Sequence, residues 1–403
     1  MVVGIIAEYN PFHNGHKYQI EQIRNKVKNA AIVAVMSGNF TQRGEAAILD
    51  KFTRAELAVN GGCDLVLELP FVYAVRSAQD FARGGINILK SLGIVETLAF
   101  GAEINDIESL KTAASIVDSD KFNNLLRRKL DSGLSYAKAM GQILSETTDI
   151  SQKILKMPNI ILAIEYLRAL QLTSMQPLLI PRIAVSHNDI NLYPGISSAS
   201  AIRKSIYLES PEWNIISTNI DGKTLNTLKN VELPSIERLF LPLITKIICS
   251  DTSTLKSIYG MNEGLENKFI YAAHSSKSLQ EFVNCIVSQR YTRSRIQRLI
   301  LYFIMELLKE DIDKFNNINY ARILAFNQRG RELLKKIKKN TNIPIITKLT
   351  QHISNQAIYN QNYILNTYQK MLYFDIVSTD IFSILFKNAK LGLDFTTSPL
   401  YLH

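Results

Sequence analysis

Only three cysteines, Cys63, Cys249 and Cys285, occur in the 403 residues, and no two of them form a C-x-x-C pair. An odd, scattered set excludes a disulfide framework and a zinc knuckle, and it suits a reducing compartment. Long apolar runs are missing as well. The longest, such as residues 299–305, fall well short of the roughly 20 residues that cross a bilayer. No basic segment followed by an apolar one opens the chain, so a soluble, uncleaved, cytoplasmic protein without a membrane partner is expected. Repeats and low-complexity tracts are absent, which excludes solenoids and tails. Histidine is scarce too: of six in the chain, two stand three residues apart in His13-Asn14-Gly15-His16.

That pair follows directly on the apolar run 2–6, where a strand hands over to a helix. A helix beginning near Asn14 points free N–H groups and a positive dipole end at whatever lies before it, and phosphate fits there. Three residues are about one turn, so both rings share a face. They are placed to donate hydrogen bonds to phosphates and to offset charge that grows as pyrophosphate leaves. Gly15, without a side chain, leaves room for a flat base.

Charge is uneven. Residues 1–200 hold 20 Lys and Arg against 19 Asp and Glu, whereas 201–403 hold 26 against 17. Within 290–339 there are 13 basic and 5 acidic residues, so one stretch supplies most of the net +10. Such concentration points to a polyanionic partner.

Apolar runs at 2–6, 30–36, 65–69 and 98–100 alternate with helical patterns at 15–28, 51–60 and 78–92. Strand and helix in alternation predict an α/β fold with a doubly wound parallel sheet, covered on both faces and binding ligands beyond the carboxyl ends of its strands. Residues 106–175 read as mainly helical, with a further strand at 178–185. Ser-Pro, Asp-Gly and Leu-Pro breakers mark a connection over 206–234. The expected organisation is therefore a nucleotide domain over 1–205, the connection, and a mainly α-helical, basic domain over 235–403. Its helices are expected at 235–249, 279–308, 319–339 and 357–386.

The segment Gly4-Ile5-Ile6-Ala7-Glu8-Tyr9-Asn10-Pro11-Phe12-His13-Asn14-Gly15-His16 resembles the first motif of the HIGH-type nucleotidyltransferase superfamily, a HUP-like fold. With Ser37-Gly38-Asn39-Phe40-Thr41-Gln42-Arg43-Gly44-Glu45, Asp64-Leu65-Val66-Leu67-Glu68-Leu69-Pro70, Phe100-Gly101-Ala102-Glu103 and Pro158-Asn159, most of the chain is similar to the tRNA(Met) cytidine acetate ligase family. The resemblance implies an ATP-dependent ligase. ATP and acetate give acetyl-adenylate and pyrophosphate, and acetyl passes to the wobble cytidine of elongator tRNA(Met) to give N(4)-acetylcytidine. It also implies an ATP site made of Ile6, Ala7, Glu8, Tyr9, Asn10, Pro11, Phe12, His13, Asn14, Gly15, His16, Lys17, Tyr18 and Gln19, together with Gly101, Asn159, Arg182 and Ile183. Ile196-Ser197-Ser198-Ala199-Ser200-Ala201-Ile202-Arg203 resembles the second superfamily signature, and the resemblance implies Ser198 as a further contact and Arg203 as a catalytic residue beside His13 and His16. Ile160 stands where the family pattern has a second asparagine.

Each residue has a plainer reading beside this one. Glu8 at a strand end is placed to meet substrate or a metal, or equally as a solvated cap. Gly101 permits close approach of a ribose or turns the chain. Arg43 lies in a loop suited to acetate, whereas Asp50, Lys51 and Arg54 open a helix that reads as surface. Mg²⁺ is expected to travel with the ATP phosphates and not in a protein cage. No cysteine lies in a motif, so acetyl transfer is expected without a thioester. For RNA, Arg290, Arg293, Arg295, Arg298, Arg329, Arg331, Lys335 and Lys336 are the candidate contacts, and no protein partner is implied. The rival readings are an adenylyltransferase for a small metabolite and a non-catalytic RNA-binding protein.

Overall fold

The computed structural model describes residues 1–155, 157–182, 191–360 and 363–403. Five parallel strands form the centre: β1 (Val2–Ala7), β2 (Ala31–Ser37), β3 (Leu65–Leu69), β4 (Thr97–Ala102) and β5 (Gln176–Pro181). The sheet order is β5-β4-β1-β2-β3, extended beyond β3 by β6 (Ala321–Phe326), which is antiparallel to it. Two short strands, β7 (Ile345–Ile346) and β8 (Leu400–Tyr401), share the outer side of β6.

Successive side chains of a strand point to opposite faces, and here both faces are buried. Val2, Ile6, Val33, Val35, Leu65, Leu67 and Leu98 pack into one core with the helix Ala78–Ser91. Val3, Ile5, Ile32, Ala34, Met36, Val66 and Ala99 pack into the other with the helices Asn14–Lys26 and Lys51–Asn60. The central strands therefore read as continuous apolar runs, and the chain reverses strand order on either side of β1.

The C-terminal half is mainly helical, and it also supplies three strands that its sequence pattern concealed. Residues 319–339 form no single helix: β6 comes first and the helix Gln328–Asn340 follows. Arg322 interrupts the apolar run of β6, yet it is buried, with Nη1 3.2 Å from Glu68 Oε2 and 3.0 Å from Asp394 Oδ2. Lys51 reaches the same two carboxylates at 2.8 and 3.0 Å. Two cations and two anions thus meet in the interior, joining residues from both halves of the chain. Lys51 and Arg54, expected at the surface, are each 0% exposed.

Residues 279–308 likewise divide, into Leu279–Ile286 and Arg293–Met305, around a turn that ends on the cap Thr292. No described helix is long and apolar enough to cross a membrane.

Candidate active site

The site is built where β1 ends. His13 is the N-cap of the helix Asn14–Lys26, with extended backbone at φ −145°, ψ 174°. Its Nδ1 accepts from the Gly15 N–H at 3.0 Å, while the His13 N–H donates to His16 Nδ1 at 3.3 Å. Two loose donors of the first turn are thereby satisfied by imidazoles, in the roles usually taken by Ser and Glu of a capping box. The same bonds set the tautomers. With Nδ1 accepting, the neutral His16 ring carries its proton on Nε2. The rings stack with centroids 4.0 Å apart, and Tyr9 meets His16 edge-on at 4.8 Å. Burial, then the neighbouring His13 and Arg182, hold the His16 pKa well below the usual imidazole range, so His16 is a neutral donor.

Gly15 has a reason beyond space for a base: a Cβ there would stand 2.7 Å from His13 Cε1 and push the cap ring away. Arg54 fixes the floor. It donates to the carbonyls of Glu8, Ser37, Gly38 and Leu49, and so clamps the ends of β1 and β2 together beneath the cleft. Burial lowers its pKa only to about 10, so it remains a cation.

An inner pocket is lined by His13, Gly15, His16, Tyr18, Gln19, Gly101, Ile180, Pro181, Arg182, Ile196, Ser197 and Ser198. Gly101 on β4 faces Ile180 on β5, and the Arg182 side chain lies across it; a Cβ at Gly101 would meet Arg182 Cγ at 3.2 Å. Asn159, in the first turn of the helix Pro158–Leu170, donates to Glu103 Oε1 at 2.6 Å. Glu103 Oε2 is buried and has no partner among the described residues. Ser198 caps the helix Ala199–Ile206 through the Ala201 N–H at 3.1 Å. From that helix Arg203 donates to the Asn10 carbonyl at 2.7 Å and lies 3.4 Å from Glu45.

The inner pocket opens into a cleft of about 1130 Å³. Ile6, Ala7, Glu8, Tyr9 and Asn10 line it, with Gly101, Asn159, Arg182 and Arg203; across from them stand Arg290, Arg293, Arg295 and Arg298. The loop 37–45 bridges the two sides. Arg298 donates to the Gln42 carbonyl at 3.2 Å, and Arg43 also lines the cleft. Helical residues Tyr136, Lys138, Gln142 and Gln152 complete the wall, and nothing in their sequence pattern marks them.

Four residues of the expected nucleotide stretch stay out of both spaces. Pro11 and Phe12 are buried, with Phe12 filling the place of a side chain at Gly61. Asn14 donates to the carbonyls of Gly195 and Thr218, which ties the helix start to the chain behind it. Lys17 points to solvent. Ile183 lies outside the described residues.

The basic candidates separate into two groups. Arg329 donates to the carbonyls of Asn29 and Ala30, just before β2 begins, and Asn340 at the end of its helix packs on Gly93, just before β4. Arg331, Lys335 and Lys336 are exposed on that helix. They lie at the amino ends of the parallel strands, whereas the cleft lies at the carboxyl ends, roughly 20 Å away along a six-residue strand. Cys63 is buried with its thiol pushed up to about 12, and the other two cysteines are exposed and line neither space.

The chain matches the HIGH Nucleotidyl Transferase family over residues 1–394. It is 36% identical over 409 residues to the tRNA(Met) cytidine acetate ligase of Thermoanaerobacter sp. (strain X514), which covers 98% of each chain. Against the enzyme of that name from Acetivibrio thermocellus it is 36% identical over 427 residues, covering 100% of both. The crystal structure of Thermotoga maritima TmcAL (apo, form I) superposes with a TM-score of 0.89 at 30% identity, over 100% of this chain and 99% of that one. The same protein bound with alpha-thio ATP (form II) gives 0.88, with equal identity and coverage. A pocket lined by two stacked histidines, set in a fold shared over its full length, thus has a family: the chain belongs to the HIGH nucleotidyl transferases and, within them, to the tRNA(Met) cytidine acetate ligase family.

Proposed function

We propose that this protein is an ATP-dependent acetate ligase that forms acetyl-adenylate and transfers the acetyl group to the wobble cytidine of elongator tRNA(Met), giving N(4)-acetylcytidine. The observation that carries this reading is the continuity of the inner histidine-lined pocket with a cleft whose opposite rim bears Arg290, Arg293, Arg295 and Arg298. One space takes a nucleotide and the other a polyanion, so an acceptor on RNA meets the adenylate where it is made.

In this reading ATP enters the inner pocket with Mg²⁺ on its phosphates. The ribose meets Asn159, which lines the cleft and is anchored on Glu103 Oε1. Arg182 covers the base or a phosphate. The phosphates lie at the start of the helix Asn14–Lys26, beside the imidazoles of His13 and His16, and Arg203 takes up charge on departing pyrophosphate. Acetate is ionised at neutral pH and needs no base. Arg43 on the loop 37–45 draws it toward the α-phosphorus, so alignment is the main task. Residues 1–205 carry this chemistry, the arginines of 235–403 hold the RNA, and the cytoplasm is where both substrates occur.

The test is mass spectrometry of nucleosides from bulk tRNA after incubation with the protein, ATP, Mg²⁺ and isotopically labelled acetate, each omitted in turn. Labelled acetylcytidine that requires ATP is expected. ATP cleaved to AMP with no labelled nucleoside would favour a small-metabolite adenylyltransferase instead.

A further inference from the structure

Among the described residues Glu8, Glu45 and Glu165 are the acidic side chains that line the large cleft; Glu45 lies 3.4 Å from Arg203 and Glu165 2.7 Å from Arg168, whereas Glu8 has no ion pair. It follows β1 at the carboxyl edge of the sheet and lines the large cleft but not the inner pocket, so it sits on the acceptor side of the histidines. One oxygen, Oε1, accepts the Gln42 N–H at 2.7 Å, which fixes the carboxylate against the loop 37–45. The backbone is fixed as well, because Arg54 donates to the Glu8 carbonyl at 2.5 Å. No hydrogen bond engages Oε2 among the described residues, and the side chain is partly exposed to the cleft. The charged and titratable groups around it are Arg203 from the helix Ala199–Ile206, Arg43 and Glu45 from the loop, Arg54 from below and Tyr166 from the helix Pro158–Leu170.

Resting on the acetyl-transfer reading above, we propose that Glu8 is the general base of the second step, accepting through Oε2 the proton that the cytidine amine sheds as it is acetylated. The N4 lone pair attacks the acetyl carbonyl of the adenylate, forming an N–C bond and a tetrahedral oxyanion that carries N–H⁺. That proton passes to Oε2. The oxyanion then collapses, the bond from the acyl carbon to the phosphate oxygen breaks, and AMP leaves with the electron pair. An exocyclic aromatic amine is a weak nucleophile whose cationic adduct readily reverts, so prompt removal of this proton commits the step. Burial raises the Glu8 pKa above the usual carboxylate value, closer to the working pH of a base.

The two half-reactions separate in Glu8→Gln, a variant that keeps the shape and still accepts the Gln42 N–H. Because Glu8 belongs to the expected ATP stretch, acetate-dependent exchange of pyrophosphate into ATP is expected to fall as well, but by much less than transfer. Single-turnover transfer from preformed acetyl-adenylate to tRNA should fall on the order of 100-fold or more. Transfer by the wild type should decline as pH drops through the raised Glu8 pKa, and this limb should vanish in Glu8→Gln. Should Glu8→Gln not fold, Glu8→Asp carries the test, with slower transfer and the acidic limb retained. Equal losses in both half-reactions, unaltered transfer, or an acidic limb that persists without the carboxylate would overturn the assignment. Missing exchange in the wild type would strike the adenylation reading itself, and the base with it.

Discussion

The imidazoles of His13 and His16 stack at 4.0 Å, and each spends its Nδ1 on a backbone N–H of the same helical turn. The pair therefore closes the helix start with its own side chains. Replacing His16 with Ala should reduce acetate-dependent pyrophosphate exchange on the order of 100-fold, as expected for the loss of an aimed donor to developing charge. The transition temperature should change little by comparison. Exchange at the wild-type rate would remove His16 from the chemistry.

The depressed His16 pKa also affects stability. Above about pH 6.5 the ring is neutral in both folded and unfolded chains, so it contributes no slope. Below that value the unfolded chain takes up a proton that the folded site refuses, and stability falls as pH falls, by at most about 1.4 kcal/mol per pH unit. Denaturant unfolding of wild type and His16→Gln between pH 5 and 7.5 measures the difference. The wild type should lose more stability on acidification, and parallel curves would mean that the folded site accepts the proton after all.

For RNA the structure separates two basic surfaces that a linear reading joins. Arg290 and Arg293 are exposed at the cleft, whereas Arg331 and Lys335 lie at the far edge of the sheet. Reversing the first pair to Glu should weaken tRNA binding and lower the slope of log affinity against log salt by about 0.7–0.9 for each phosphate that is no longer neutralised. Reversing Arg331 and Lys335 should leave both nearly unchanged. Filter binding across a salt series decides between the surfaces, and the opposite result would move the RNA to the amino edge.

Legibility from sequence follows one physical rule. Strands β1 to β4 and the helices between them are readable because apolar residues buried on both faces leave continuous runs. Strand β6 is not, because Arg322 breaks the run and its compensating partners, Glu68 and Asp394, lie far away in the chain. Lys51 and Arg54 read as surface for the same reason: a charge looks solvated unless its buried partners are known. His13, His16, Gly101, Asn159, Arg182 and Arg203 converge on the cleft as their motifs suggest. The roles of Gly15 and Asn14 as packing and tether, and the opposite edges taken by the arginine groups, depend on neighbours that no local pattern encodes.

Gly44 shows how closely the two sides of the cleft are joined. Its φ is +78°, in the left-handed region, and a Cβ there would lie 2.7 Å from the backbone nitrogen of Arg298. Gly44→Ala therefore combines backbone strain with a clash against backbone that has little freedom to yield. The expected loss is about 1–3 kcal/mol in unfolding free energy. Weaker tRNA binding should accompany it, since the loop 37–45 and the arginine helix part together. A variant as stable as wild type would show that the loop shifts freely.

The interior ion cluster links stability to the loop at the cleft. Lys51 Nζ stands 2.8 Å from Glu68 and 3.0 Å from Asp394, while Arg322 reaches the same carboxylates and the Thr379 hydroxyl donates to Asp394 at 3.0 Å. Both charges of each sign are withdrawn from water, so their attraction mainly offsets desolvation. Removing one partner is a different matter, because Lys51→Met strands negative charge in an apolar surround. It should cost about 3–5 kcal/mol in urea or guanidinium unfolding. Lys51→Met combined with Glu68→Gln removes one charge of each sign and should recover much of that loss. The anchoring runs through the backbone: the Lys51 N–H donates to Asn39 Oδ1 at 2.7 Å, and Asn39 Nδ2 donates to Thr379 at 3.2 Å, so the loop that carries Gln42 and Arg43 is held on the cluster. The single variant should therefore raise KM for acetate before it unfolds the protein, and the double variant should restore stability and KM together. Restored stability with KM still raised would separate the loop from the cluster.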